Sequence, residues 1–195
     1  MTEPDLFGLT AVVVRQPKRS WWRRYRGPEL AVATVEGTPL AEVTNIADRD
    51  FHLARMSGEF IVRIEKRARF GLLPMSPTHF RFIDADGQEV GRARASGPVK
   101  TRQLSFRTER SRPLFLTRLA HLSAEWQLTE TDPLRTPKPE TLGRVTASTV
   151  DKLLGLQQYV AESTPLLDAS ERQTFLAMVI CLHLLRWPPG DGSAT

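Results

Sequence analysis

The chain has one cysteine, Cys181, so no disulfide can form within it and a disulfide-stapled scaffold is excluded. Cys181 lies inside a run of large apolar residues, where a buried inert thiol is expected. No apolar run reaches the roughly 17 to 25 residues that a membrane-spanning helix needs. The opening Met1 to Asp5 has no basic residue leading into an apolar stretch, so no secretory leader is expected and the setting is read as cytoplasmic and reducing. Gly-x-Ser-x-Gly, Walker and dinucleotide-binding motifs are all missing. The four histidines, His52, His79, His121 and His183, make neither a His-Glu-x-x-His pair nor a Cys/His cluster. Asp84-Ala-Asp-Gly87 resembles the start of a calcium loop, but Ala95 stands where the closing glutamate belongs, and a hairpin turn is the reading. No catalytic residue, metal site or cofactor is therefore expected, and the protein is read as a non-enzyme.

What is present is an ordinary globular composition, 41% hydrophobic and 25% charged, in 195 residues. That length can bury about 70% of the unfolded surface around one core. Leu40-Ala-Glu-Val-Thr44, Val90-Gly-Arg-Ala-Arg94 and Leu142-Gly-Arg-Val-Thr146 repeat one pattern of aliphatic, small, charged, apolar and polar or charged residues. Each follows a strand-like run and a connection: Leu30 to Val35, Phe80 to Ile83, and Leu122 to Leu128 with a longer proline-bearing loop. Three β-hairpins are predicted. Period-two alternation adds Phe60 to Glu65 and, over a shorter run, Gln103 to Arg107. If the charged third position of the repeat faces solvent, the second position faces inward, and it is always small: Ala41, Gly91 or Gly143.

After residue 165 the pattern turns helical. Asp168 and Glu171 have capping-box spacing ahead of the apolar stretch Phe175 to Leu185, and Pro188 and Pro189 stop it. A helix apolar on every face needs a wall on every face, so hairpins curling around it are expected, the small inward residues letting it approach the sheet.

The repeated strand-turn-strand units around Phe82-Ile-Asp-Ala-Asp-Gly-Gln-Glu-Val-Gly91, the Trp126-Gln-Leu128 strand, the Leu142-Gly-Arg-Val145 return and the terminal apolar helix resemble the tubby C-terminal-like superfamily. Within it, LURP-one-related and phospholipid-scramblase-like proteins are the most similar. The resemblance implies a mainly β (α+β) fold, a closed antiparallel barrel of about twelve strands around a buried C-terminal helix. It spans a single domain over 8–187, with the helix over 168–186 and flexible tails at 1–7 and 188–195. It also implies a lipid-linked role. The cysteine- and proline-rich extension and the calcium-binding acidic segment of eukaryotic scramblases are not recognisable here, which argues against calcium-driven scrambling.

Charge is uneven. The net charge is +5, but residues 1–118 hold 21 basic and 13 acidic side chains, whereas residues 119–195 hold 6 and 9. Arg15 to Arg26 has six basic residues, three aromatics and no acid. Three readings fit this segment: a strand connection whose tryptophan packs inward, an interfacial membrane anchor, or a single-strand nucleic-acid surface, the last without an accompanying fold signature. A second basic region runs from Arg92 to Arg118, and Arg92 and Arg94 share one strand face. The candidate anion- or lipid-binding residues are Lys18, Arg19, Trp21, Trp22, Arg23, Arg24, Arg92 and Arg94. The expected partner is an anionic phospholipid surface, with the protein cytoplasmic and peripheral to the membrane; nucleic acid is disfavoured. The alternatives are a phospholipid-scramblase-like protein or a protein-interaction scaffold. Protein partners and oligomeric state are not specified by the residues.

Overall fold

A computed structural model describes residues 5–17, 29–47, 49–67, 78–96, 103–107, 112–120, 123–133, 135–151 and 156–186. Among the described residues twelve strands precede one helix: β1 (Ala11–Arg15), β2 (Leu30–Ala33), β3 (Pro39–Ala47), β4 (Asp50–Arg55), β5 (Phe60–Arg67), β6 (His79–Ile83), β7 (Glu89–Ser96), β8 (Gln103–Arg107), β9 (Leu114–Arg118), β10 (Glu125–Thr129), β11 (Thr141–Asp151), β12 (Leu156–Ser163) and α1 (Ala169–Arg186). Each strand pairs antiparallel with its neighbours in the chain, and β1 pairs with β12, closing a barrel. All three hairpins form, as β2–β3, β6–β7 and β10–β11. β10 is shorter than its alternation suggests: it begins at Glu125, and Ala124 is exposed rather than inward.

The repeat has a structural meaning. Its small residue lies opposite a large one on the partner strand, in the pairs Val32–Ala41, Phe82–Gly91 and Leu128–Gly143. In all three hairpins the register shifts immediately after that pair, at Ala33, Ile83 and Thr129. A β-bulge bends and twists the strand that carries it. The same bulge recurs every fourth strand around the wall. As expected, Ala41, Gly91 and Gly143 are buried. At Gly143 the helix is among the nearest neighbours, where an added Cβ would lie 3.1 Å from the Phe175 ring and 2.8 Å from the Glu162 carbonyl oxygen. At Gly91 the space is taken by the Phe106 ring of β8, so that glycine accommodates a wall residue and not the helix.

All ten residues from Phe175 to Leu184 are at most 4% exposed, and ten successive residues present every face of a helix, so the barrel surrounds α1. Both ends of α1 are fastened. Glu171 N–H donates to Asp168 Oδ1 (2.8 Å) and Asp168 N–H donates to Glu171 Oε2 (3.1 Å), completing the capping box. Arg112 then grips Glu171 through Nε (2.6 Å), Glu130 through Nη1 (2.9 Å) and the Leu166 carbonyl through Nη2 (3.2 Å). At the far end Lys66 Nζ donates to the Leu184 carbonyl at 2.6 Å, placing a cation where the helix dipole is negative. Packing also extends N-terminal to residue 8. Leu6 is in the core, Phe7 packs on it, and Arg172 Nη1 donates to the Phe7 and Gly8 carbonyls.

Candidate functional site

Period-two alternation sends Val62, Ile64, Phe80, Phe82, Ala93 and Leu104 into the core. Their alternates on β5 to β8 include six arginines, Arg63, Arg67, Arg81, Arg92, Arg94 and Arg107. The register sets them in rows: Glu65, Arg81, Arg92 and Arg107 are successive cross-strand neighbours, and beside them run Arg67, His79, Arg94 and Ser105. Neighbouring strands lie about 4.8 Å apart and alternate residues of a strand about 6.8 Å apart, so the arginines form a dense lattice.

Two carboxylates hold part of this lattice together. Glu65 accepts ion pairs from Arg67 (2.8 Å), Arg63 (3.2 Å) and Arg81 (3.2 Å), which bury it. The hydrogen bond from Arg67, with the charges of Arg81 and Arg63, holds its carboxyl below the usual range against the opposing effect of burial. Glu89 bridges Arg92 and Arg81, and the hydrogen bond from Arg92 lowers its carboxyl in the same way. Arg94 and Arg107 are exposed and make no ion pair among the described residues. The face thus holds six arginines against two glutamates, and it offers guanidinium forks suited to anionic oxygens.

Of the residues expected to bind anions, Arg92 and Arg94 do share this outer face. Lys18, Arg19, Trp21, Trp22, Arg23 and Arg24 lie outside the described residues. Arg63, Arg67 and Arg81 were missed in the sequence reading; the alternation Arg63-Ile-Glu65-Lys-Arg67 was the available signal, but joining it to β7 required the register of β6.

A second charge pattern follows from strand order alone. In an up-and-down barrel every odd-numbered strand finishes at one end, the odd end, and every even-numbered strand at the other, the even end. In the sequence, the odd-end connections contain ten basic and two acidic residues. The even-end connections, including the one leading into α1, contain four basic and nine acidic residues. β1 ends at Arg15 and β2 begins at Leu30, both at the odd end. α1 starts at the acidic end and finishes at the basic end, beside Lys66, so the connection charges complement its dipole.

Other chemistry has less to work with. Asp84 Oδ1 accepts the Asp86 and Gln88 N–H groups (3.0 and 2.8 Å) and Gly87 has a φ of 78°, which makes the Asp84 segment a hairpin turn as expected. Burial pushes the Cys181 thiol well up, against nucleophilic use. Among the described residues, no group of three His, Cys, Asp or Glu side chains could hold a metal ion, and no helix is long and apolar enough to cross a membrane. A strand-built membrane barrel needs an apolar outer band, and the outward positions of β5 to β8 carry arginine and glutamate instead. The chain matches no protein-family model, no curated protein and no solved structure.

Proposed function

We propose that this chain is a non-enzymatic barrel of the tubby-like kind that docks on anionic phospholipid surfaces from the cytoplasm. The observation that carries this reading is how strand order sorts the charge of the sequence: the segments that follow odd-numbered strands hold ten basic and two acidic residues, and those that follow even-numbered strands four basic and nine acidic. The closed twelve-stranded wall around a C-terminal helix is the architecture that the tubby-like resemblance implies, and it supports the family reading. A cationic end is drawn to a negative leaflet, each basic side chain near the surface contributing about 1 kcal/mol. The arginine lattice on β5 to β8 adds forks for phosphate oxygens on the side of the wall.

Flotation with vesicles of phosphatidylcholine, with and without phosphatidylserine, tests it. Binding should require phosphatidylserine and weaken with salt, because the Debye length shrinks to about 3 Å at 1 M. Replacing Trp21, Trp22, Arg23 and Arg24 together by alanine should weaken binding at least about tenfold, two such arginines being worth about 2 kcal/mol. If the protein ignores phosphatidylserine vesicles even at low salt, the lipid reading fails and a protein-interaction scaffold takes its place.

A further inference from the structure

We infer that the barrel stands upright on the lipid surface, its basic end down, with Ile46, Leu119 and Val150 inserted below the headgroups as three feet. This rests on the lipid-docking reading and adds an orientation and an apolar contribution to it.

All three side chains are half-exposed, at the odd end of β3, just beyond β9 and near the odd end of β11. Two of them owe their exposure to a specific backbone feature. In the β3–β4 ladder Asn45 pairs with Phe51 and Ala47 with Asp50, so Ile46 is the extra residue of a bulge. In the β11–β12 ladder Thr149 pairs with Gln157 and Asp151 with Leu156, so Val150 is the extra residue of another. Bulges at barrel rims re-aim side chains, and here each releases an aliphatic side chain from the wall. Leu119 is fixed differently, its N–H donating to the Glu125 carbonyl at 3.1 Å across the β9–β10 connection.

Their placement around the rim matters. Along the closed sheet, β9 and β11 are two strands apart, β11 and β3 four, and β3 and β9 six, so Leu119 and Ile46 stand on opposite sides of the barrel. Twelve strands about 4.8 Å apart and tilted about 40° give a rim roughly 24 Å across. Three points spread around it define a plane crossing the barrel axis, as resting on a flat surface requires.

Exposed apolar groups alone do not choose this end. Val35, Met56 and Leu166 are equally exposed at the other, but the connections there are predominantly acidic and repel an anionic leaflet. The opposite end therefore serves as an internal control.

Cys181 is buried, so single cysteines placed at the surface can be labelled selectively with the polarity-sensitive dye NBD. With phosphatidylserine-containing vesicles, emission should shift to the blue for Ile46→Cys, Leu119→Cys and Val150→Cys, and stay unchanged for Val35→Cys and Leu166→Cys. The triple variant Ile46→Ser/Leu119→Ser/Val150→Ser should lose about tenfold in vesicle affinity and become fully salt-sensitive, while Val35→Ser/Met56→Ser/Leu166→Ser should bind like the parent. Melting curves matching the parent's establish that both triple variants fold. Flotation without a blue shift at the three feet, or a shift at the acidic end, overturns the upright inserted pose and leaves electrostatic docking standing. Absence of flotation removes both.

Discussion

Glu65 is a carboxylate beneath three arginines, and its removal would take the shared anion from Arg63 and Arg67 and leave Arg81 with Glu89 alone. Glu65→Gln is expected to cost about 1–3 kcal/mol, read as a lower urea midpoint at unchanged slope. The pH dependence has a definite sign. The folded carboxyl lies below its unfolded value, so its contribution is present above about pH 4.3 and is lost as the pH falls through the folded value. Glu65→Gln should therefore flatten the acid limb of the stability profile, so that variant and parent converge in acid. The glycines make a second residue-level prediction. Gly143→Ala would press a methyl group against the Glu162 backbone and cost about 1–3 kcal/mol, with no relief from trimming Phe175. Gly91→Ala meets only a side chain, so the double variant with Phe106→Leu should be less destabilised than the two single losses added, which a double-mutant cycle measures. The smallness of Ala41, Gly91 and Gly143 was legible from the repeat. What each makes room for was not, because the neighbour arrives from another strand or from the helix.

At the level of elements, α1 organises the interior. Asp168→Ala should cost about 1 kcal/mol through the lost cap, and Glu171→Ala more, because Arg112 then loses two of its bonds as well. A chain ending after Ser163 would leave the inward side chains of twelve strands facing an emptied interior. It is expected to show no cooperative thermal transition and little near-ultraviolet circular dichroism. The helix and the three hairpins could be read directly because their signals are local: a capping box, an unbroken apolar stretch, period-two alternation and turn residues. β1, β4, β9 and β12 are not marked by such signals to the same degree. Ala11-Val-Val-Val14 is apolar without alternation, and its partner includes Ala161, a contact that no local pattern announces. Twelve strands therefore entered the sequence reading only through the family resemblance.

For the whole molecule, the dominant electrostatic feature depends on strand parity. Overlooking a single strand would exchange the ends at which all later strands finish, so sorting the basic and acidic segments by strand parity needed the complete strand count. The shared face of Arg92 and Arg94 followed from alternation, whereas their juxtaposition with Arg81 and Arg107 needed cross-strand register. Polarity on this scale predicts a directional response. Reversing Glu36, Asp86 and Glu140 to lysine at the acidic end should leave the melting temperature near the parent's, as these side chains are exposed, yet let vesicles be captured from both ends and cross-linked, visible as turbidity. The pairing of β1 with β12 has one more consequence. A sheet joined to itself has no bare rung on which a visiting peptide could lie as an extra strand, so recognition by backbone ladder is foreclosed. Any companion must be selected by side chains, on the outside of the staves or at the two rims.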